Sequence, residues 1–252
     1  MRFFVSQDNI TEEQVIVTGE DLKHMKVLRL EPGDTIEVCD GQGWDYSCRL
    51  LEITGDRALA AIVTKGENRA EPKVRITLYQ GLPKSDKMDL IVQKCTEIGV
   101  ARIVPVTTQR TVVQLNAKKA QQRRERWERI ATAAAKQSGR GRIPQVGPVM
   151  SWQAALTDAQ ELRSQVGSER FGAVIPYELE NTVFVGTVFR RWREQAVLEV
   201  AIFIGPEGGF AEEEVTQAQD IGAHSVSLGP RILRTETAGL ITAGCLLYEM
   251  EQ

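Results

Sequence analysis

The chain of 252 residues is long enough for one large domain or two smaller ones, and with 42% hydrophobic and 26% charged residues it has the composition of a soluble globular protein. Four widely spaced cysteines without a CxxC pair, together with only two histidines, argue against a disulfide framework and a zinc site. The sequence contains neither a recognisable signal peptide nor an apolar run long enough to span a bilayer, so we expect a cytoplasmic protein without membrane contact or a bound metal.

The charge of the chain is unevenly distributed, although its formal net value is only −3. Lys and Arg number 8 against 13 Asp and Glu in residues 1–70, 10 against 2 in residues 110–145, and 2 against 8 in residues 201–252. The central basic block favours contact with phosphates, but a solvated helix face would have the same composition.

Residues 1–70 have the pattern of a small β-barrel. Four short β-prone runs, QVIVT, TIEVCD, YSCRLLEI and ALAAIVT, are separated by tight turn signals and interrupted by one predicted helix at residues 21–27. Small barrels of this kind bind nucleic acid or serve only as packing modules, and the pattern leaves both open. The polar segment 65–73 is the predicted linker.

From Val74 onwards strands and helices alternate. We predict strands at 74–82, 102–108, 171–177, 200–204 and 225–228, and helices at 86–98, 117–138, a segment ending at 194, and 237–250. This alternation predicts an α/β domain over residues 74–252, with a mainly parallel sheet and helices on both faces.

Two Gly-Pro loops follow predicted strands and form the candidate ligand site. The first loop, GPEGGF at 205–210, has adjacent glycines that would let a flat ligand such as adenine or ribose approach the backbone. It lacks the GxGxxG pattern, and the acidic turn after it would repel a pyrophosphate. A plain turn remains the alternative for this motif alone.

The second loop, LGPRILRTETA at 228–238, places two arginines and a glutamate before an apolar helix. Thr235 or Glu236 could simply cap that helix. Alternatively, Arg231 or Arg234 could hold a phosphate or a carbonyl oxygen with its planar set of donors. Two such loops on one sheet favour a shared pocket more strongly than either loop alone.

Several basic residues are candidate RNA contacts. Lys84 and Lys87 lie at a strand-to-helix junction, and the basic block contains Arg110 and the Gly-Arg-Gly-Arg turn of Arg140 and Arg142. The chain has no GxSxG motif and too few histidines to suggest a serine or cysteine hydrolase.

Five stretches in order resemble the RsmE family of bacterial 16S rRNA uracil-N3 methyltransferases, members of the SPOUT superfamily, over nearly the whole chain. They are LKHMKVLRLEPGD (22–34), LPKSDKMDLIVQKCTEIGV (82–100), RWERIATAAAKQSGR (126–140), IGPEGGF (204–210) and LGPRILRTETA (228–238). The resemblance implies a PUA-like RNA-binding barrel (1–70) and a SPOUT methyltransferase domain (74–252) with a deep trefoil knot. It also implies S-adenosylmethionine as cofactor, a homodimer, and 16S rRNA in the small ribosomal subunit as partner.

The resemblance also implies roles for individual residues. Arg234 is the first candidate for stabilising the uracil anion, Arg231 is the second, and Glu236 would orient Arg234. The cofactor-binding residues would be Ile175, Pro176, Ile204, Gly205, Pro206, Glu207, Gly208, Gly209, Leu228, Gly229, Ile232 and Leu233. The RNA-binding residues would be Arg2, Arg29, Lys84, Lys87, Arg110, Arg140 and Arg142.

One departure and two alternatives accompany this expectation. The N-terminal segment MRFFVSQ keeps Arg2 but lacks the second basic residue usual in the family. A related knotted enzyme could methylate a ribose 2′-hydroxyl, which the glycine loops do not exclude. A non-catalytic assembly factor could use the barrel and the basic block on ribosomal RNA, although the two intact loops argue against it.

Overall fold

A computed structural model describes residues 2–252, which divide into two units. The first unit contains residues 2–71 and Ala135–Ile143, and the second contains Pro72–Ala134 and Pro144–Gln252. The helix at Ala117–Gln137 therefore begins in the second unit and ends in the first. The sequence predicts a boundary near residue 70, but it does not predict that residues 135–143 belong to the first unit.

The first unit is a curled five-stranded sheet in the order β1-β3-β4-β5-β2. Its elements are β1 Arg2–Phe4, a short 3-10 helix at Gln7–Asn9, β2 Gln14–Val17, α1 Gly19–Val27, β3 Thr35–Cys39, β4 Trp44–Ile53 and β5 Ala58–Glu67. Only β1 and β3 pair in parallel. Alternate residues of β4, such as Tyr46, Cys48 and Leu50, are buried in one core that also receives Leu22 and Met25 of α1.

This unit confirms the predicted small β domain with one helix. β1 was not predicted, because three residues are too few for a recognisable pattern. The β5 strand continues to Glu67, so the first residues of the predicted linker belong to a strand paired with β4.

The second unit contains a parallel sheet in the order β12-β10-β11-β6-β7-β8, with β9 also paired to β7. The strands are β6 Arg75–Gly81, β7 Arg102–Thr107, β8 Gln145–Val146, β9 Met150–Ser151, β10 Phe171–Pro176, β11 Glu199–Ile204 and β12 His224–Val226. Every pairing between them is parallel. The carboxyl ends of neighbouring strands therefore meet at one edge, where ligands bind in open α/β sheets.

Helices cover both faces of this sheet, as predicted. They are α2 Lys87–Ile98, α3 Ala117–Gln137, α4 Trp152–Val166, α5 Val185–Glu194, α6 Glu212–Asp220 and α7 Thr235–Met250. Side chains of α2, α3, α5 and α7 share one apolar core with the sheet, whereas α4 and α6 share the other. The parallel α/β class is thus confirmed, while the trefoil knot stays a prediction.

The helix α4 has no counterpart in the sequence prediction. Its signals are local, since the hydroxyl of Ser151 accepts a hydrogen bond from the Ala154 N–H and caps the helix. The buried residues Trp152, Leu156 and Ala159 lie at helical spacing. Small and polar residues between them weaken the apolar pattern on which the prediction relied.

Candidate cofactor and active site

A cavity of about 720 Å³ lies at the carboxyl ends of β10, β11 and β12. Its wall is formed mainly by three segments, residues 176–181, 204–210 and 227–235. The size is within the range usual for small-molecule sites, roughly 300–1,000 Å³. Both Gly-Pro loops therefore line one pocket, as the sequence predicts.

The first loop (205–210) is a tight turn that requires its glycines. Gly209 has a backbone φ of +68°, a value that residues other than glycine rarely adopt. A Cβ on Gly209 would lie 2.8 Å from Oε1 of Glu178, so the missing side chain leaves room for a carboxylate at the cavity wall. Behind the loop, a Cβ on Gly81 would lie 2.5 Å from the backbone N of Pro206. The loop thus sits directly on the end of β6.

The second loop (228–238) is tied to the first by Thr235. The Thr235 hydroxyl donates a hydrogen bond to the carbonyl oxygen of Gly205 (2.6 Å) and accepts one from Nε2 of Gln80 (2.8 Å). Thr235 does not cap α7, because the N-cap residue is Arg234 and no side-chain cap bond is present. The predicted capping role is therefore replaced by a connection between the two loops and β6.

Lys87 provides a second connection. Its ammonium group lies 3.1 Å from Oε1 of Glu207 and 3.2 Å from Oε2 of Glu236, one carboxylate from each loop. The Glu207 carboxylate also accepts the backbone N–H of Lys84, at 3.1 and 3.3 Å. The hydrogen bond to Glu207 raises the pKa of Lys87. Desolvation opposes ionisation of Glu207, but hydrogen bonds from its own N–H and from Lys87 and Lys84 leave its pKa below the ordinary value.

The two arginines of the second loop line the cavity without being buried. The Arg234 side chain is 82% exposed, and its guanidinium lies 4.0 Å from Glu236, which is only 14% exposed. Glu236 is thus closer to Lys87 than to Arg234. An exposed guanidinium beside a backbone-lined cavity can stabilise negative charge on a bound group.

Similarity to known proteins in sequence and in fold identifies the family. Residues 70–247 match the model of an RNA methyltransferase domain, and residues 17–63 match an RNA methyltransferase PUA domain. The ribosomal RNA small subunit methyltransferase E of Bacillus subtilis is 33% identical over 99% of this chain and 97% of its own length. The chain belongs to the ribosomal RNA small subunit methyltransferase E family.

Two further members of this family support the assignment. The protein from Synechocystis sp. is 33% identical over 94% of this chain and 74% of its own length. The crystal structure of the enzyme from Neisseria gonorrhoeae bound to S-adenosyl methionine has a TM-score of 0.83 and 31% identity, and the match covers 98% of this chain and 96% of that one.

The family resemblance nominates twelve residues for cofactor binding, and most of them lie in the cavity wall. They are Pro176, Ile204, Gly205, Pro206, Glu207, Gly208, Gly209, Leu228, Gly229, Ile232 and Leu233. Ile175 is not part of the wall, because its side chain is fully buried in the core beneath the cavity. The Ile232 side chain is 90% exposed and so lies at the rim.

Among the nominated RNA contacts of the first unit, Arg140 requires correction. Its side chain is 2% exposed, and its guanidinium donates to the Glu71 carboxylate at 2.9 and 3.1 Å. A guanidinium buried against a carboxylate cannot reach a phosphate on the surface. Arg2 is largely buried in a bidentate ion pair with Asp45, whereas Arg29 and Arg142 are exposed.

Among those of the second unit, Lys84 and Arg110 are exposed. Arg110 also donates to the carbonyl oxygen of Gly208 (2.9 Å), so it braces the first loop. Lys87 is engaged by Glu207 and Glu236, as described above, and is not free for a phosphate.

Two features of this site had no sequence signal. Glu178 follows β10 in a stretch without a motif, and its importance is visible from its place in the cavity wall beside Gly209. Gln80 is a fully buried strand residue whose Oε1 has no hydrogen-bond partner among the described residues.

No group of three residues able to ligate a metal occurs in the described chain, and none of its helices has the length and apolar character of a membrane span.

Proposed function

We propose that this chain methylates N3 of a specific uridine in the decoding region of 16S rRNA within the small ribosomal subunit, with S-adenosylmethionine as the methyl donor. The observation that carries the proposal is one cavity that joins the GPEGGF and LGPRILRTETA loops and places Arg234 at its opening. The family relatives named for ribosomal RNA methylation support it. Because N3 lies on the Watson–Crick edge of uracil, the base must be unpaired or flipped out before it can react.

The cavity fits S-adenosylmethionine in size and in chemistry. Backbone groups of the two glycine-containing loops can hold adenine and ribose, and Gly209 leaves the cavity open where a Cβ would obstruct it. Glu178 adds a carboxylate that, among the described residues, accepts no hydrogen bond from the protein, which suits a cationic ligand. Glu180 is a poorer candidate, because hydrogen bonds from Thr182 lower its pKa and already satisfy it.

The chain's own contribution to the reaction is orientation and charge stabilisation. S-adenosylmethionine, when bound, supplies an activated methyl group. The guanidinium of Arg234, with Arg231 as the second candidate, donates to a uracil carbonyl oxygen and stabilises the negative charge that develops as the N3 proton is released to water. The exposed Ile232 offers an apolar contact to the unstacked base. The loops hold both reactants in line, which is the larger requirement for a donor that is already activated.

We also propose a homodimer in the cytoplasm, with residues 1–70 as the RNA-binding domain and residues 74–252 as the methyltransferase domain. The helix α7 supports the homodimer, because Ile241, Cys245 and Tyr248 are exposed at helical spacing, Tyr248 by 73%. Of the residues nominated for RNA, Arg29 and Arg142 are exposed in the first unit, and Lys84 and Arg110 are exposed in the second.

The experiment that tests the proposed function uses small ribosomal subunits from cells that lack the modification. The protein and S-adenosylmethionine are added, and reverse transcription is run along the rRNA. A new strong stop at one uridine is expected, since N3 methylation blocks the pairing edge. Methyl incorporation without a full stop would instead indicate ribose methylation, and binding without transfer would indicate an assembly factor.

The role of Arg234 is tested by Arg234→Ala. We expect turnover to fall by about 100-fold or more, the effect usual for removal of one preorganised donor at a developing anion. Arg190→Ala is the matched control, because Arg190 is an exposed arginine of α5 outside the cavity. Full turnover of Arg234→Ala would remove Arg234 from this mechanism.

A further inference from the structure

Lys87 occupies an unusual position at the cavity, between two carboxylates that belong to different loops. Its ammonium group lies within 3.2 Å of both Glu207 and Glu236. Lys87 is the first residue of α2, and its side chain is 31% exposed. A lysine held in this way contributes no free charge to a phosphate-binding surface. Its function must therefore be sought in what it does to the two carboxylates.

Glu207 does not depend on Lys87 alone. Both of its carboxylate oxygens accept the backbone N–H of Lys84, and this hydrogen bond is independent of any side chain at position 84 or 87. Glu236 differs, because Lys87 is its closest cationic partner among the described residues. The next cation is the guanidinium of Arg234, at 4.0 Å. Removing the ammonium group would therefore affect Glu236 more than Glu207.

Arg234 and Glu236 are two residues apart in the sequence, and the Arg234 side chain is exposed to solvent. A nearly buried carboxylate that lost Lys87 would take the nearest remaining cation, because an unpaired buried charge is costly. An arginine forms such a pair readily, with two parallel hydrogen bonds. A guanidinium paired in this way would be withdrawn from the cavity and partly neutralised.

We propose that Lys87 is a positioning residue that holds Glu236 and thereby keeps the guanidinium of Arg234 free for the uracil. Lys87 competes with Arg234 for one carboxylate and is the nearer cation, since its ammonium group lies 3.2 Å from Oε2 of Glu236 while the Arg234 guanidinium lies 4.0 Å from Oε1. This inference rests on the proposed function, since it takes Arg234 as the group that stabilises the uracil anion. It replaces two predictions, the RNA contact of Lys87 and the orientation of Arg234 by Glu236.

The test compares Lys87→Met, Glu236→Gln and the double variant in the methylation assay on small subunits. Lys87→Met should lower kcat by about 10-fold or more, because Arg234 is captured by Glu236. Glu236→Gln should lower kcat by less than about 3-fold, because a neutral amide no longer competes for Arg234. The double variant should recover to within about 3-fold of Glu236→Gln. This rescue by a second substitution would not occur if Lys87 only stabilised the fold.

Lys84→Met is the matched comparison for an RNA contact, because Lys84 lies in the same turn, its side chain is exposed and nominated for RNA, and its backbone N–H still holds Glu207. Lys84→Met should weaken subunit binding and flatten its dependence on salt, and Lys87→Met would do the same if Lys87 were an RNA contact. Under the proposal, Lys87→Met binds the subunit as tightly as the wild type. A double variant as slow as Lys87→Met, or a Glu236→Gln variant slower than Lys87→Met, would overturn the proposal.

A readout without turnover separates this inference from the proposed function. In a crystal structure of Lys87→Met, the Arg234 guanidinium should form a direct ion pair with Glu236 at hydrogen-bond distance. Persistence of the present separation of 4.0 Å would refute the competition, whichever base the enzyme methylates. Conversely, formation of the pair in an enzyme that transfers no methyl group to uridine would refute the proposed function and leave the competition standing.

Discussion

The hydroxyl of Thr235 joins three parts of the cavity, and Thr235→Val removes it with little change in shape. The side chain is buried, donates to the carbonyl oxygen of Gly205 and accepts from Nε2 of Gln80. In the variant, Gly205 loses this donor and Gln80 keeps only its bond to the carbonyl oxygen of Gly81. Since a buried group left without its partner costs about 1–3 kcal/mol, we expect the free energy of unfolding to fall by that amount.

The consequence is measurable in two assays. A loss of about 1–3 kcal/mol corresponds to a melting temperature lower by about 2–12 °C for a domain of this size. Because the lost bond holds the two loops together, the affinity for S-adenosylmethionine in calorimetry should fall by about 10-fold. Thr235→Ser, which keeps the hydroxyl, should retain most of the affinity. Equal binding by wild type and Thr235→Val would refute the claim that this bond shapes the cavity.

Three further predictions follow from single contacts. Arg140→Met should destabilise the protein by about 3–5 kcal/mol in urea unfolding, because the nearly buried Glu71 loses its cation and keeps the backbone N–H groups of Gly141 and Arg142, while subunit binding by the folded protein stays unchanged. Gly81→Ala should weaken S-adenosylmethionine binding at least 10-fold, since its Cβ would meet the backbone of Pro206, whereas Gly66→Ala adds a Cβ in open space and should not. A thiol reagent should modify only Cys245 in the native protein, because the other three cysteines are buried; if α7 forms the homodimer interface, that reaction should slow with protein concentration.

Local patterns in the sequence account well for the elements and for the loops, because both are determined by neighbouring residues. Adjacent glycines and Gly-Pro turns after β-prone runs predicted a pocket at the strand ends, and the structure places both loops around one cavity. The helix α2 ends at Gly99, which has φ +114 as a C-cap in the left-handed conformation should. Such signals are contained in a few consecutive residues.

The partners of individual side chains could not be predicted in the same way. Arg140 and Lys87 are basic residues in sequences that suggest phosphate contact, yet both are bound by distant carboxylates. Arg140 contacts Glu71, 69 positions away, and Lys87 contacts Glu207, 120 positions away. Gln80 and Thr235 are separated by 155 positions and have no sequence pattern in common. Charge is visible in a sequence, but whether that charge is free depends on which distant residues the fold brings beside it.

The contacts around the cavity divide each loop into an inner side, which is held by neighbouring residues, and an outer side, which is exposed. Gln80, Gly81 and Lys87, all at the end of β6 or the start of α2, hold the inner side of both loops through packing, hydrogen bonds and ion pairs. On the outer side, Arg234 and Ile232 are exposed. Substitutions on the inner side should therefore change cofactor affinity, and substitutions on the outer side should change catalysis or RNA contact. Lys87 belongs to both groups, because its partner Glu236 lies beside Arg234, and it is there that cofactor binding and methyl transfer should be coupled.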